Sequence, residues 1–262
     1  MNLDLTNKKA VVCGSTDGIG KACAIELAAL GASITLVARN EEKLKNTLAE
    51  LTTNEGQQHD YLRADFQQPD YLKAVLQDYS SSQDEAHILV NNTGGPPAGP
   101  AHEAALNAFW RGFEMHIIGN QILLQALLPK MKTAGYGRII NIISTSVKEP
   151  IPGLGVSNTI RGAVGNWAKT LSKELGQYGI TVNNILPGST ETGRIRDLIK
   201  NRATNQNKTP EEIERNMKGQ IPIGRFAEPA EIAYAVAFLA SPSAAYISGV
   251  NLTVDGGKMG CT

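Results

Sequence analysis

Three glycines lie between the first β-branched run of the chain and its first helical pattern. This junction reads Gly14-Ser15-Thr16-Asp17-Gly18-Ile19-Gly20 and follows the apolar run "KKAVVC". Glycines at such a junction let the backbone turn sharply, so that the N–H groups at the start of the next helix can face an anion. The spacing favours binding of a dinucleotide pyrophosphate, with an ordinary strand-to-helix turn as the alternative.

The end of the second apolar run bears on which dinucleotide would bind. An acidic residue at this place hydrogen-bonds the ribose 2′-hydroxyl of NAD, whereas an arginine accommodates the 2′-phosphate of NADP. The chain has Ala38-Arg39-Asn40, with no acid and with a planar guanidinium suited to phosphate. Asp17 favours NAD instead, because its carboxylate would repel a 2′-phosphate. We expect NADP(H) to be favoured over NAD(H), with Arg39 as a plain surface charge as the alternative.

The elements that would position these residues alternate along the chain. Short β-branched runs are separated by longer helical patterns, which is typical of successive βαβ units and a mostly parallel sheet. Strands are predicted in "KKAVVCG", "ASITLVAR", "HDYLRADF", "AHILVNN", "GRIINIIS", "GITVNNIL" and "VNLTVDGG". We therefore expect an α/β fold, a single-domain Rossmann-like doubly wound parallel sheet of seven strands flanked by helices, over residues 1–262.

The stretch 188–222 is polar and has two helical pieces, "GRIRDLIKNR" and "PEEIERNMKG". It is predicted to be a lid over the substrate rather than a separate domain. The first piece carries four cations, Arg194, Arg196, Lys200 and Arg202. These charges are typical of a solvated face, and an acidic substrate is the alternative.

Composition narrows the class of partner. The chain has 262 residues, of which 42% are hydrophobic and 19% charged, with 25 basic and 25 acidic side chains. This balance offers no overall field toward nucleic acid or an anionic membrane, so a small-molecule substrate is expected. No apolar run has the length of a membrane span, and the N-terminus lacks the apolar core of a signal peptide, so a cytoplasmic protein is expected. The three cysteines have no metal-like spacing, and no metal site is predicted.

Five segments, in order, resemble the short-chain dehydrogenase/reductase family, and in particular its members similar to 3-oxoacyl-ACP reductase. They are the glycine spacing at 14, 18 and 20, "ADF" at 64–66, "VNNTGG" at 90–95, "PGSTET" at 187–192, and the C-terminal "YISGVNLTVDGG" with the helix before it. The resemblance covers about residues 5–258. It implies that the cofactor is bound by Gly14, Ser15, Thr16, Asp17, Gly18, Ile19, Gly20, Arg39, Asp65, Phe66, Asn92, Gly94, Arg161, Pro187, Gly188, Thr190 and Thr192.

The resemblance also assigns four catalytic positions, of which three are altered here. The family has a serine at the end of the fifth strand, a tyrosine thirteen residues later and a lysine four residues after that. These positions are occupied by Ser144, Ser157 and Arg161. The family's asparagine precedes a helix glycine by three residues, and counting back from Gly119 gives His116. Ser157 and Arg161 still share one helix face, so the geometry of the site is retained while its chemistry changes.

Ser157 is a poor replacement for a tyrosine acid. A phenol titrates near pH 10 and an aliphatic hydroxyl near that of water, a difference of roughly 6 units or about 8 kcal/mol. Arg161 stays charged, so it supplies a field but relays no proton. His116 titrates near 6.5 when unperturbed, so we expect it, or water, to supply the proton and to give a pH profile with a titration near 6 to 7. A packed structural histidine is the alternative.

Three functions follow from this altered set. The first is a reductase that uses NADPH and a carbonyl substrate, with Ser144 as the oxyanion donor. The second is a cofactor-binding sensor or assembly partner that has lost reductase chemistry. The third is an epimerase or dehydratase on the same scaffold. The helices around 103–133 and 157–178 and the C-terminal segment resemble the family's pairing surfaces, which implies a homotetramer or homodimer.

Overall fold

The structure, a computed structural model, describes residues 1–261 and is built around a parallel sheet of seven strands. The strands are β1 (Lys9–Cys13), β2 (Ser33–Ala38), β3 (Asp60–Arg63), β4 (Ile88–Asn91), β5 (Gly137–Ile142), β6 (Ile180–Pro187) and β7 (Asn251–Val254). Their order is β3-β2-β1-β4-β5-β6-β7. The order reverses between β1 and β4, and open α/β sheets bind ligands at the carboxyl ends of the strands beside such a point. The predicted seven-stranded Rossmann-like sheet is confirmed.

Nine helices of eight residues or more lie within residues 1–261. They are α1 (Gly18–Ala29), α2 (Glu41–Ala49), α3 (Pro69–Ser82), α4 (Leu106–Phe113), α5 (Gly119–Ala134), α6 (Gly155–Leu175), α7 (Gly193–Gln206), α8 (Pro210–Gly219) and α9 (Pro229–Ala240). Apolar residues of α1, α2 and α9 pack on one face of the sheet. Those of α3, α5 and α6 pack on the other face, which gives the doubly wound arrangement. No helix within residues 1–261 combines the length and the apolar character needed to cross a membrane.

The predicted long helical region is one continuous helix with a defect in its middle. A π-helical turn, Glu114–Ile118, joins α4 to α5 and contains His116. Turns of this kind are rare and are found frequently at functional sites, because they redirect the side chains of a helix. His116 therefore lies where the helix register shifts, and its side chain contacts Thr93 in the loop after β4.

The predicted helical pieces of the stretch 188–222 are α7 and α8. They have a small apolar core of their own, formed by Ile195, Ile199, Ala203, Ile213, Met217, Ile221 and Phe226. Thr209 and Glu212 cap the start of α8 reciprocally, each side chain bonding the other residue's backbone N–H. This packing makes the two helices a unit of their own, and movement of that unit as a lid remains a prediction.

A row of asparagines crosses four neighbouring strands. Asn91, Asn141, Asn184 and Asn251 are paired in register on β4, β5, β6 and β7. In each pair, Nδ2 of one side chain donates to Oδ1 of the next at 2.8 Å. This ladder fixes the register of the strands whose ends carry the predicted catalytic residues, because a slip of one residue would break every bond in it.

We expect Asn141→Ala to lower the free energy of unfolding by about 2 to 6 kcal/mol. The substitution leaves Asn91 Nδ2 without its acceptor and Asn184 Oδ1 without its donor, and each buried unsatisfied group costs about 1–3 kcal/mol. Urea unfolding measures the change, with Asn166→Ala on the exposed side of α6 as the control. Equal stabilities for the two variants would show that the ladder contributes nothing.

Candidate active site

The glycine junction between β1 and α1 forms a cradle that only glycine can build. A Cβ atom on Gly20 would lie 2.2 Å from the carbonyl oxygen of Gly14. One on Gly14 would lie 2.6 Å from the carbonyl oxygen of Asn92, and Gly14 also has a φ of +59°. The backbone is thus folded tightly back on itself beside the end of β4, with its N–H groups near the start of α1. Such a cradle fits a pyrophosphate group.

Two polar residues of the cradle have distinct roles. Asp17 is the N-cap of α1, and its Oδ1 accepts a hydrogen bond from Gly18 N at 2.7 Å. A structural cap accounts for this carboxylate without any contact to the cofactor. The hydroxyl of Ser15 is buried and has no hydrogen-bond partner within the described residues. A buried hydroxyl without a partner is costly, so a ligand oxygen above the cradle is a fitting partner.

A second arginine lies beside the position that would select between NAD and NADP. Ala38 ends β2, and Arg39 follows it on the surface. The Cα of Arg63, at the end of β3, is paired with that of Ala38. Arg63 is also exposed. Two guanidinium groups therefore follow the ends of adjacent strands, a charge pattern suited to phosphate.

The predicted adenine contacts lie just after β3. Asp65 is half-buried, and its Oδ1 accepts a hydrogen bond from Gln67 N at 3.0 Å. Phe66 is buried against α5, where a Cβ on Gly119 would lie 2.9 Å from the ring. The ring of Phe66 is therefore part of the core, and only its backbone is left to contact a cofactor.

The turn after β6 adjoins the glycine cradle. Pro187 is the last residue of the strand, and a Cβ on Gly188 would lie 2.7 Å from the Cα of Asp255. A Cβ on Gly18 would lie 2.9 Å from Cγ2 of Thr192, so the cradle and the end of this turn are in direct contact. Thr190 lies between Gly188 and Thr192 in the sequence and is buried. Its hydroxyl donates to Gly188 O at 3.3 Å. Gly94 is exposed in the loop after β4.

Three of the predicted catalytic residues lie where β5 meets α6. Ser144 lies two residues beyond the end of β5, and its hydroxyl accepts from Ser146 N at 3.1 Å. Arg161 is buried on α6, and its Nη1 donates to Ile142 O at 3.0 Å. Ser157 is buried one turn earlier on the same helix, and its side chain makes no hydrogen bond to another described residue. This arrangement can hold a polarised oxygen but offers no acid of suitable pKa.

His116 is buried and neutral. Its Nδ1 is 2.6 Å from the hydroxyl of Thr93, while its Nε2 is buried without a partner in the described chain. Burial, with further contributions from the charges of Arg161 and Arg194, lowers the pKa of His116 to about 2, and a hydrogen bond with the Gly94 backbone opposes this only weakly. The pKa of His116 therefore lies well below the titration predicted near pH 6 to 7. The spacing identified the position of this histidine but not how completely it is buried.

Comparisons with known proteins agree with this geometry along nearly the whole chain. The family model described as enoyl-(acyl carrier protein) reductase matches residues 14–258. The chain belongs to the short-chain dehydrogenase/reductase family. A 7alpha-hydroxysteroid dehydrogenase from Escherichia coli is 32% identical over 98% of this chain and 96% of its own length. The 3-oxoacyl-(acyl-carrier-protein) reductase FabG of Aquifex aeolicus is 30% identical over 98% and 99%. An L-sorbose reductase from Gluconobacter frateurii, solved with NADPH and L-sorbose, has a TM-score of 0.92 at 31% identity and covers 100% of both chains.

This short-chain dehydrogenase/reductase brings together some site residues that the sequence did not assign. Thr93 holds His116, and Arg63 lies beside the predicted 2′-phosphate position. Arg194 reaches from α7 to the loop after β4, where it donates to Gly95 O and Pro96 O at 3.1 and 3.3 Å. The only sequence signal for Arg194 was the run of cations on the predicted lid. Within residues 1–261, no group of three or more His, Cys, Asp or Glu side chains is placed to hold a metal ion.

His116 should make this family member sensitive to mild acid. An unfolded histidine binds a proton near pH 6.5 and the folded one only near 2, so the unfolded state binds more protons as the pH falls below 6.5 and stability decreases. The loss is about 1.4 kcal/mol per pH unit, or about 2 kcal/mol between pH 6.5 and 5. Burial also lowers the pKa of His87, which adds in the same direction.

We therefore expect the drop in unfolding free energy between pH 7 and pH 5 to be about 2 kcal/mol smaller in His116→Asn than in the parent. Denaturant unfolding at the two pH values measures it. His102→Asn is the control, because His102 is exposed. An identical drop in parent and His116→Asn would show that His116 is not held neutral by the fold.

Proposed function

We propose that this chain is an NADP(H)-dependent oxidoreductase that interconverts a carbonyl and an alcohol of a small molecule by hydride transfer. The observation that carries the proposal is the cradle of Gly14, Gly18 and Gly20 in contact with Thr192, next to the strand end that bears Ser144. The exposed guanidiniums of Arg39 and Arg63 favour NADP(H) over NAD(H). The relatives support the same reaction class, since several are reductases or dehydrogenases and the L-sorbose reductase was solved with NADPH.

Different residues of the chain would hold the cofactor and stabilise the reacting oxygen. The glycine cradle, Ser15 and the turn 187–192 would hold the cofactor, which supplies the hydride when it is bound. Ser144 donates a hydrogen bond to the substrate oxygen as negative charge develops on it. Arg161, whose planar group lies beneath the same strand end, stabilises that charge and can also bind hydroxyls of the cofactor ribose. Ser157 lies one turn away and lines the pocket without donating its proton.

Water is proposed to supply the proton that completes reduction. A histidine with a pKa of about 2 carries no second proton at neutral pH, so His116 cannot act as an imidazolium acid. Its bond to Thr93 gives it a positioning role at the loop after β4. The alkoxide formed on reduction is stabilised by Ser144 and Arg161 until it takes a proton from water and leaves hydroxide.

The stoichiometry of cofactor consumption separates this function from the two alternatives. A reductase oxidises one NADPH for each alcohol formed, whereas a sensor or assembly partner binds NADPH without consuming it. An epimerase or dehydratase changes the substrate with only transient oxidation. We expect net oxidation to continue over many turnovers with a panel of small carbonyl compounds. Binding of NADPH without net oxidation across the panel would favour the sensor, which the replacement of tyrosine and lysine by Ser157 and Arg161 keeps as the second candidate.

We also propose that the chain assembles with copies of itself as a homotetramer or homodimer. Leu106, Trp110 and Phe113 on α4 expose 79%, 69% and 40% of their surface along one side of the helix. Tyr246, just before β7, is fully exposed. Large apolar side chains grouped in this way on a folded domain indicate a contact surface. The helix that carries them leads directly into the π-helical turn of His116, so assembly would also support the site.

Trp110→Glu is expected to shift the assembly toward smaller species, because a charge would be buried at the centre of the α4 surface. Size-exclusion chromatography with light scattering at micromolar concentration measures the mass. Tyr71→Glu is the control, because Tyr71 is exposed on α3, outside the proposed surface. A monomeric parent protein would contradict the proposed assembly.

A further inference from the structure

Arg161 is a buried cation that has no carboxylate partner within residues 1–261. Only 7% of its surface is exposed, and its one hydrogen bond is from Nη1 to Ile142 O at 3.0 Å. No carboxylate within residues 1–261 forms an ion pair with it. Burial, and then the charge of Arg194, lower the pKa of Arg161 to about 10, so it remains charged at neutral pH. A guanidinium has five N–H donors, and most of those of Arg161 have no hydrogen-bond partner within residues 1–261.

Arg194 brings a second guanidinium to the same place. It is anchored over the loop after β4 by its bonds to Gly95 O and Pro96 O. A Cβ on Gly95 would lie 2.5 Å from its Cζ, so the guanidinium occupies the space that a side chain there would fill. Arg194 also forms no ion pair within the described chain. Thr93 of the same loop bonds His116, and Arg161 bonds the last residue of the neighbouring strand β5, so the three groups meet at the ends of β4 and β5.

Two guanidiniums that repel each other around a neutral histidine form an unbalanced site. Burying the charge of Arg161 without a counter-ion is unfavourable, and the positive charge of Arg194 increases the cost. An anion that lies between them removes both penalties and can be held by paired N–H donors. A neutral substrate would leave both guanidiniums without a counter-ion at this place.

We propose that the substrate carries a carboxylate group, held between Arg161 and Arg194, close to the carbonyl or alcohol that reacts at Ser144. The inference rests on the proposed oxidoreductase function and gives its substrate class, short oxo acids and the corresponding hydroxy acids. Arg161 bonds the carbonyl of Ile142, two residues before Ser144. An acid group held there lies near the reacting carbon, which suits a planar carboxylate bonded to or near that carbon.

The pyrophosphate of the cofactor is the competing anion for Arg194. Arg194 follows Thr192 by two residues, and Thr192 contacts Gly18 of the cradle. If the pyrophosphate were the partner, Arg194→Gln would weaken NADPH binding. With a carboxylate substrate as partner, Arg194→Gln leaves the Kd for NADPH unchanged and weakens binding of the acid alone.

Arginine side-chain NMR tests the site without relying on turnover. Protein labelled with ¹⁵N-arginine, with and without NADP⁺, is titrated with 2-oxobutyrate, 2-oxobutyramide and inorganic phosphate at constant ionic strength. We expect 2-oxobutyrate to shift the Arg161 and Arg194 signals saturably, and the amide to leave them in place. Arg194→Gln should raise the apparent Kd for 2-oxobutyrate roughly 10- to 100-fold. Arg196→Gln, on the exposed side of α7, should not change it.

Several results would overturn the carboxylate site. These are no saturable shift with 2-oxobutyrate, equal shifts with the amide, stronger binding of phosphate than of 2-oxobutyrate, or weaker NADPH binding in Arg194→Gln. Because Arg161 is buried, the exposed Arg194 provides the variant that should fold. The proposed function fails separately: saturable binding of 2-oxobutyrate with no NADPH oxidation on any oxo acid would support the acid site and contradict the reductase. Reduction of neutral ketones with kcat/KM equal to that of oxo acids would support the reductase and contradict the acid site.

Discussion

Ser144→Ala is expected to lower kcat for carbonyl reduction by about 10²- to 10³-fold, the usual effect of removing an oxyanion donor. Ser144 is the one position of the family's catalytic set that is unchanged here, and it follows the end of β5 beside the predicted cofactor site. Its hydroxyl accepts a hydrogen bond from Ser146 N, which leaves its own proton available to a substrate oxygen. Steady-state kinetics of NADPH oxidation measure the loss.

Ser157→Ala is the matched control for this prediction. Ser157 is buried nearby but makes no side-chain hydrogen bond to the described residues, and its hydroxyl is roughly 6 pKa units less acidic than a tyrosine. Its loss should change kcat only mildly. A larger loss for Ser157→Ala than for Ser144→Ala would mean that the family's tyrosine position still acts as the acid and that our assignment of Ser144 is wrong.

Arg39→Ala is expected to weaken NADPH binding roughly 10- to 100-fold while leaving NADH binding nearly unchanged. A hydrogen bond to a charged group contributes about 1.5–3 kcal/mol, and only NADPH carries the 2′-phosphate. Arg63→Ala should have a smaller effect in the same direction, because Arg63 is one strand further away. Fluorescence titration of the parent and the two variants with both cofactors measures the six affinities.

A parent protein that binds NADH as tightly as NADPH would contradict the role of Arg39. The control is Lys43→Ala, because Lys43 is an exposed cation in the first turn of α2, four residues after Arg39. Loss of NADPH affinity in that variant would indicate general electrostatic attraction instead of a specific phosphate contact.

The fold was accessible from the sequence because its signals are local. The β-branched runs, the helical patterns and the glycines at 14, 18 and 20 each act over a few residues. Six of the seven strands lie within the predicted segments, and β6 extends one residue beyond its segment, to Pro187. The asparagine ladder was not predicted, because it depends on the register of strands separated by 43 to 67 residues in the chain.

The active site was predicted only as far as position. Residue spacing located Ser144, Ser157, Arg161 and His116, whereas the protonation of His116 depends on burial produced by several elements at once. The charged face of α7 shows the same limit. Arg194 and Arg196 are alike in sequence context, but only Arg194 reaches the carbonyls of Gly95 and Pro96. Which cation reaches these carbonyls is decided by how the start of α7 lies against the loop after β4.

Transfer of deuterium from labelled cofactor tests the central claim most directly. The protein is incubated with NADPH that carries deuterium at both C4 positions of the nicotinamide and with short oxo acids, and the products are analysed by mass spectrometry. We predict a hydroxy acid with one deuterium on the carbinol carbon for each NADPH oxidised. Hydroxy acid without deuterium, or labelled NADPH recovered intact after prolonged incubation with every oxo acid and every neutral carbonyl compound of the panel, would contradict hydride transfer by this protein.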